Sequence, residues 1–191
     1  MDKKAPIHLE DAGLDLPAQR MTTSCGWEDV ALDRSIRRQV EDIVPRAKEG
    51  RPAGFRALFS GPSGSGKTLA AALLGKSTGL PVYRIDLEEV VSKWIGETEK
   101  NLAILFSRAQ EEGWILYFDE ADALFGKRTE AREANDRAAN QQVAYLLQRI
   151  EDFPGIVILA TNLRSHLDEA FARRFQSIIR FHLPDAEPRR T

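Results

Sequence analysis

Short apolar runs alternate with longer amphipathic stretches along most of this chain. The apolar runs predict five strands, at residues 57–60, 82–87, 115–119, 156–161 and 177–183. The stretches between them predict helices near residues 28–48, 67–78, 97–111, 137–150 and 167–174. Because the strands are apolar almost throughout and alternate with helices, they favour an α/β fold with a parallel sheet covered on both faces.

Residues 1–24 differ from the rest of the chain, because they mix charge, glycine and proline without any apolar period. We expect a flexible tail or linker there. The net charge of −2 gives no basic field, which disfavours nucleic acid as a partner. The single cysteine can form no internal disulfide, and the apolar runs are too short to span a bilayer, so we expect a cytoplasmic protein without a membrane segment.

The segment GPSGSGKT, residues 61–68, fits the phosphate-binding pattern G-x-x-x-x-G-K-[ST] completely. It follows a predicted strand and precedes an alanine-rich helix, which disfavours the alternative of a glycine-rich turn with an exposed lysine. Lys67 is predicted to contact the β- and γ-phosphates, and Thr68 to offer its hydroxyl to Mg²⁺. The residues predicted to bind the nucleotide here are Gly61, Pro62, Ser63, Gly64, Ser65, Gly66, Lys67, Thr68 and Leu69.

The third predicted strand ends in ILYFDEAD and delivers carboxylates beside that loop. Asp119 is predicted to hold the hydration shell of Mg²⁺. Glu120 points in another direction, so it is predicted to face the γ-phosphate and polarise an attacking water. Without the phosphate loop, two solvated acids at a strand end would be the better interpretation. Asp122 is assigned to solvent or to a helix cap.

Two further polar segments follow. The fourth strand closes with ATN, where Asn162 is predicted to orient the attacking water, and a turn-forming asparagine is the alternative. Arg173 and Arg174 end a short predicted helix, where the helix dipole alone favours arginine. By itself, the position of these two arginines is therefore only a weak indication of function.

Together these segments resemble the AAA family of ATPases within the wider AAA+ class. GPSGSGKT, ILYFDEAD, ATN and LDEAFARRF fall in the order and spacing of its Walker A, Walker B, sensor 1 and arginine-finger elements, over about residues 25–184. Within this family, the chain most resembles stand-alone remodelling ATPases such as katanin and spastin, or bacterial relatives. The resemblance implies a P-loop NTPase fold, a three-layer αβα sandwich with a five-stranded parallel sheet in the order 5-1-4-3-2.

The resemblance also implies ATP and Mg²⁺ as cofactors. The backbone of Asp29, Val30 and Ala31, within GWEDVAL, would then lie against adenine. The full-length protein would be a homo-hexamer with ATP bound between neighbours. In such a ring Arg173 and Arg174 would reach the γ-phosphate of the next subunit.

The segment KWIG is similar to the family's loop that projects into the central pore and grips a protein substrate. Its residues are Lys93, Trp94, Ile95 and Gly96. The alternative for the tryptophan is a position packed against the domain's own helices. The two interpretations differ in what its loss would affect, substrate remodelling or stability.

The resulting interpretation is an ATPase module that powers protein remodelling in a ring. A nucleic-acid-associated AAA+ loader and a nucleotide-gated scaffold with little turnover are the alternatives. The near-neutral charge weighs against the first, and Glu120 against the second. Residues 25–184 are expected to form the large ATPase subdomain and residues 185–191 the truncated start of a helical lid, which would leave this piece of the protein a monomer.

Overall fold

The computed structural model describes residues 7–11, 18–48, 54–87, 90, 98–124, 134–162 and 169–183. Seven strands within these residues form one sheet in the order β1-β2-β4-β5-β6-β3-β7. They are β1 (His8–Asp11), β2 (Gln19–Thr22), β3 (Phe55–Ser60), β4 (Val82–Asp86), β5 (Ile115–Asp119), β6 (Ile156–Thr161) and β7 (Ser177–Arg180). The strands β3 to β7 are mutually parallel. Counted from β7, they have the predicted order 5-1-4-3-2, but the sheet has seven strands instead of the predicted five, because β1 and β2 extend it beyond β4.

Within the predicted flexible tail of residues 1–24, the strands β1 and β2 correct that expectation for residues 8–11 and 19–22. They pair antiparallel with each other, and β2 pairs antiparallel with β4. Met21 of β2 lies opposite Val82 of β4 and is 4% exposed, so the core holds β2 in place. Because Met21 is the one buried residue of this four-residue strand, the sequence shows no apolar alternation there.

Six α-helices have both ends within the described residues, besides two 3-10 turns at Trp27–Asp29 and Ala121–Leu124. The α-helices are α1 (Arg34–Glu41), α2 (Val44–Lys48), α3 (Lys67–Thr78), α4 (Thr98–Glu112), α5 (Ala134–Asp152) and α6 (Glu169–Ala172). The stretch predicted as a helix near residues 28–48 is thus divided. Asp33 caps α1 by accepting a hydrogen bond from the backbone N–H of Ser35 at 2.7 Å. Pro45 lies in the first turn of α2, where its ring clashes with no preceding helical carbonyl.

The core lies on both faces of the sheet. Phe59 and Tyr117 pack in one cluster with side chains of α1 and α3. Leu58 and Phe118, the adjacent residues on the same strands, pack in a second cluster with side chains of α4 and α5. Burial on both faces explains the near-continuous apolar strands and gives the predicted three layers. None of the described helices combines the length and apolar character that a membrane span needs.

A candidate nucleotide site at the carboxyl ends of the strands

The loop between β3 and α3 depends on two glycines. At Gly61 a Cβ would lie 2.3 Å from the carbonyl oxygen of Phe181, so no side chain fits there. Gly66, the residue before α3, has a φ of 94°, which side chains disfavour. The loop can therefore turn tightly enough to bring the N-terminus of α3 to the end of β3. A helix N-terminus in this position favours a bound anion.

Lys67, the first residue of α3, lies inside this loop with 7% of its surface exposed. Its Nζ donates hydrogen bonds to the carbonyl oxygens of Gly61 at 2.7 Å and Pro62 at 3.0 Å, and to Asn162 Oδ1 at 2.9 Å. Burial lowers the pKa of Lys67, and the charges of Asp119 and other nearby carboxylates oppose that shift. All three donor positions of the ammonium group are used within the site.

Thr68 and Asp119, the two predicted magnesium ligands, each contact a residue that the sequence analysis did not assign. The hydroxyl of Tyr117 lies 3.1 Å from Thr68 Oγ1. Arg84 Nε donates to Asp119 Oδ2 at 2.9 Å. Burial alone would lower the pKa of Arg84, but its hydrogen bond and charge interaction with Asp119 raise it. Burial raises the pKa of Tyr117 far above its usual value, so its hydroxyl stays protonated.

These two residues are register neighbours on adjacent strands, Arg84 on β4 and Tyr117 on β5. A charged residue in the middle of the apolar run VYRID was a signal that could have identified Arg84. Tyr117 offered no such signal, because a tyrosine is ordinary in an apolar strand.

Glu120 and Asn162 are in direct contact. Asn162 Nδ2 donates to Glu120 Oε2 at 3.1 Å, while its Oδ1 accepts the bond from Lys67. Glu120 has a φ of 52°, a left-handed conformation that turns its backbone away from the strand direction. Burial, followed by the charge of Asp119, raises the pKa of Glu120. Lys67, Asn162 and Glu120 thus form one continuous chain of side-chain hydrogen bonds.

Asp122 has a different role from the solvated or helix-capping position assigned to it. Its carboxylate accepts a hydrogen bond from the hydroxyl of Thr161, a fully buried residue at the end of β6. It also accepts from the backbone N–H of Asn162, at 3.2 Å. Asp122 therefore joins the segment after β5 to the end of β6.

The GWEDVAL segment lies beside the phosphate loop. Leu32 supplies the atom nearest to a Cβ built at Gly66, at 3.2 Å. Trp27 Nε1 donates to Ser77 Oγ of α3 at 3.0 Å, which ties the segment to the helix that follows the loop. The adenine contacts of the backbone at residues 29–31 stay a prediction.

The remaining predicted residues lie away from this hydrogen-bonded cluster or beyond the described residues. Arg173 and Arg174 follow α6 directly and are exposed, and Arg174 forms an ion pair with Glu151 of α5. Their role as arginine fingers stays a prediction. The predicted pore-loop residues 93–96 lie outside the described residues.

The site fits a nucleotide with Mg²⁺. Ser65 Oγ, in the phosphate loop, is buried without a hydrogen-bond partner in the described part of the chain, so a phosphate oxygen could accept from it. No cluster of three His, Cys, Asp or Glu residues within the described ranges could hold a metal ion. Mg²⁺ bound with a nucleotide needs only one or two protein side chains, since phosphates and water supply the other ligands, and Thr68 and Asp119 suit that role.

Comparison with known proteins identifies the family. A family model for the ATPase family associated with various cellular activities (AAA) matches residues 57–183. The chain is 38% identical over 189 residues to an uncharacterized AAA family ATPase of Sinorhizobium fredii, covering 94% of this chain and 56% of that protein. It is 38% identical over 205 residues to cell division protein C of Sulfolobus acidocaldarius, covering 99% of this chain and 53% of that protein.

Among solved structures, the FIGL-1 AAA domain in complex with ADP has a TM-score of 0.63 and 26% sequence identity. The match covers 88% of this chain and 59% of that one. The chain belongs to the AAA family of ATPases, which confirms the predicted family. It spans about half the length of the curated relatives it matches.

Proposed function

We propose that this chain binds ATP with Mg²⁺ and, within a longer protein, hydrolyses it to ADP and phosphate. The observation that carries the proposal is the chain of hydrogen bonds from Lys67 through Asn162 to Glu120. It joins the phosphate loop, the end of β6 and the end of β5. Membership of the AAA family and the ADP complex of the FIGL-1 domain support the same conclusion.

In the proposed site, Lys67 exchanges partners when ATP binds. Because Gly61, Pro62 and Asn162 already use its three donors, a phosphate oxygen must replace at least one of them. The natural replacements are the two loop carbonyls, since the bond to Asn162 keeps the lysine aligned with Glu120. Backbone N–H groups at the start of α3 add a positive field.

Thr68 and Asp119 would hold Mg²⁺, which when bound neutralises charge on the phosphates. Tyr117 and Arg84 fix these two side chains through their 3.1 Å and 2.9 Å contacts. A buried, protonated tyrosine can donate to one lone pair of the Thr68 hydroxyl oxygen, which leaves the second lone pair for the metal. Arg84 restricts Asp119 to one orientation at the end of β5.

Glu120 would act as the general base. A carboxylate whose pKa is raised by burial takes a proton from water more readily than an ordinary one. Asn162 donates to one oxygen of this carboxylate and so leaves the other available to the attacking water. Asn162 would thereby orient the base, and through it the water.

The first test is nucleotide affinity, measured by titration with a fluorescent ATP analogue. Lys67→Ala should weaken binding at least about tenfold, because a phosphate contact from a buried ammonium group is lost. Lys76→Ala, on the same helix, is the matched control, since Lys76 donates to the carbonyl of Cys25 at 2.8 Å and lies on the exposed side. Equal affinity of the Lys67 variant and the unsubstituted protein would overturn the proposal.

We further propose that the longer protein acts in the cytoplasm as a homo-hexameric ring that remodels protein substrates. Family membership and the exposure of Arg173 and Arg174 support a contact with a neighbouring subunit. In this ring Trp94 would grip the substrate. Subunits lacking both arginines should then restore ATPase activity when mixed with Lys67→Ala subunits, and assembled mixtures without activity would contradict an action across the subunit boundary.

A further inference from the structure

The carboxylate of Asp122 accepts hydrogen bonds from two residues of the described part of the chain, and both lie at the end of β6. One donor is the hydroxyl of Thr161, and the other is the backbone N–H of Asn162. Neither contact is with the residues expected to hold phosphate or metal. The function of this carboxylate is therefore not explained by nucleotide binding.

The backbone N–H of Asn162 needs a hydrogen-bond acceptor outside the sheet. The strand β6 ends at Thr161, whose carbonyl oxygen accepts from the backbone N–H of Gly61 at 3.1 Å. Beyond Thr161 the pairing of β6 with β3 stops, so the N–H of Asn162 lies outside the sheet ladder. Asp122 supplies the acceptor that a neighbouring strand would otherwise supply.

The backbone between Glu120 and Asp122 makes this contact possible. The left-handed conformation of Glu120, with a φ of 52°, ends the extended path of β5. The chain then enters a 3-10 turn at Ala121–Leu124, and the carboxylate of Asp122 meets the end of β6. Glu120 and Asp122 are thus two points of one short segment that both contact Asn162.

These contacts close a ring. The backbone of Asn162 is bonded to Asp122, and its side-chain amide is bonded to Glu120. The covalent chain through the single residue Ala121 connects Glu120 to Asp122 and completes the ring. Asn162 is therefore held both by its backbone and by its side chain. Its amide has little freedom to leave the position between Lys67 and Glu120.

We propose that Asp122 is a positioning residue that holds Asn162 in place for hydrolysis, an inference that rests on the proposed ATPase function. Removal of its side chain frees the backbone of Asn162 and leaves the buried hydroxyl of Thr161 without this acceptor. The amide can then turn away from Glu120. Binding of ATP depends on the loop and α3 and is not expected to change.

The experiment compares two substitutions in the full-length protein, with kcat and KM for ATP measured separately. Asp122→Ala should lower kcat about tenfold or more and leave KM within about threefold, because misplacement by about 1 Å is costly to catalysis. Asp122→Asn keeps an amide oxygen that can accept both hydrogen bonds, so it should recover most of the lost kcat. Equal kcat of Asp122→Ala and the unsubstituted protein would overturn the inference.

A double-substitution cycle distinguishes positioning from a general effect on folding. In the background of Asn162→Ala there is no amide left to position, so adding Asp122→Ala should change kcat less than about twofold. Independent, multiplying losses would contradict the inference. Failure of the unsubstituted protein to hydrolyse ATP would instead refute the proposed function, so the two failures are distinguishable. If Asp122→Ala does not fold, the kcat of Asp122→Asn is the deciding measurement. A tenfold loss of kcat in Asp122→Asn would contradict positioning through hydrogen bonds.

Discussion

The two ends of the parallel strands differ in what they bury. All four buried polar or charged residues in the described part of the chain lie at or beside the carboxyl ends, namely Ser60, Ser65, Lys67 and Thr161. At the amino ends the first residues of β3, β5 and β6 are buried and apolar, namely Phe55, Ile115 and Ile156. One end of the sheet thus carries groups that are costly to bury, and the other carries groups that stabilise the fold.

The amino ends are packed by aromatic side chains. Trp114 stacks on Tyr83 with 3.7 Å between ring centroids, and Phe153 packs edge-on against Phe106 at 5.6 Å. A cleft of about 380 Å³ opens here, and its lining contains none of the residues predicted to act on ATP. Nucleotide binding and stability are therefore expected to depend on opposite ends of the same strands, so substitutions should affect one without the other.

The largest expected effect is at the carboxyl ends. Glu120→Gln keeps shape but removes the proposed base, so the rate of phosphate release by the full-length protein should fall about 10²–10⁴-fold while ATP still binds. Glu112→Gln is the matched control at the amino ends, where Glu112 accepts from Trp114 Nε1 at 3.0 Å. Its rate should equal that of the unsubstituted protein. Normal phosphate release by the Glu120 variant would place the base elsewhere.

At the amino ends the expected effect is on stability. Phe153 is 3% exposed, so Phe153→Ala should lower the free energy of unfolding by about 3–5 kcal/mol, as measured by urea denaturation. The affinity for a fluorescent ATP analogue should not change at a temperature where the variant is folded. A parallel loss of ATP affinity in folded protein would mean that the two ends of the sheet are coupled. That result would contradict the separation of binding from stability.

The smallest effect concerns the backbone of Glu120. With a φ of 52°, glycine suits this position better than alanine, so Glu120→Gly should be more stable than Glu120→Ala by about 1–2 kcal/mol. The same pair at Glu111, an exposed residue of α4, should have the opposite sign, with alanine favoured by up to about 1 kcal/mol. Thermal or urea unfolding of the four variants measures both differences. The same sign at both positions would remove the argument for strain at Glu120.

The parts of the fold that the sequence predicted correctly have strong local patterns. The five parallel strands each contain a short apolar run, and the loop at residues 61–68 has a fixed spacing of glycines before Lys67. Strand order followed from the family resemblance that these motifs carry. The hairpin of β1 and β2 was missed because a strand with one buried residue leaves no such pattern.

The partners of the site residues could not be predicted, because they depend on register between strands. Arg84 reaches Asp119 only because β4 and β5 are paired with Asp86 opposite Asp119. Asp122 reaches Thr161 across 39 positions of the chain. No spacing within a single segment encodes such contacts, and they become visible only when the ends of neighbouring strands are brought together.

The pair of strands β1 and β2 also covers one edge of the parallel part of the sheet. Without β2, the strand β4 would be the edge strand. Its unpaired backbone donors and acceptors could then pair with a strand of another molecule. Residues 19–21 cover that edge, and β1, only four residues long, becomes the outermost strand. Short outer strands are poor templates for sheet extension. Protein lacking residues 1–22 would therefore suffer first in solubility at high concentration, through edge-to-edge aggregation, before any change in its chemistry.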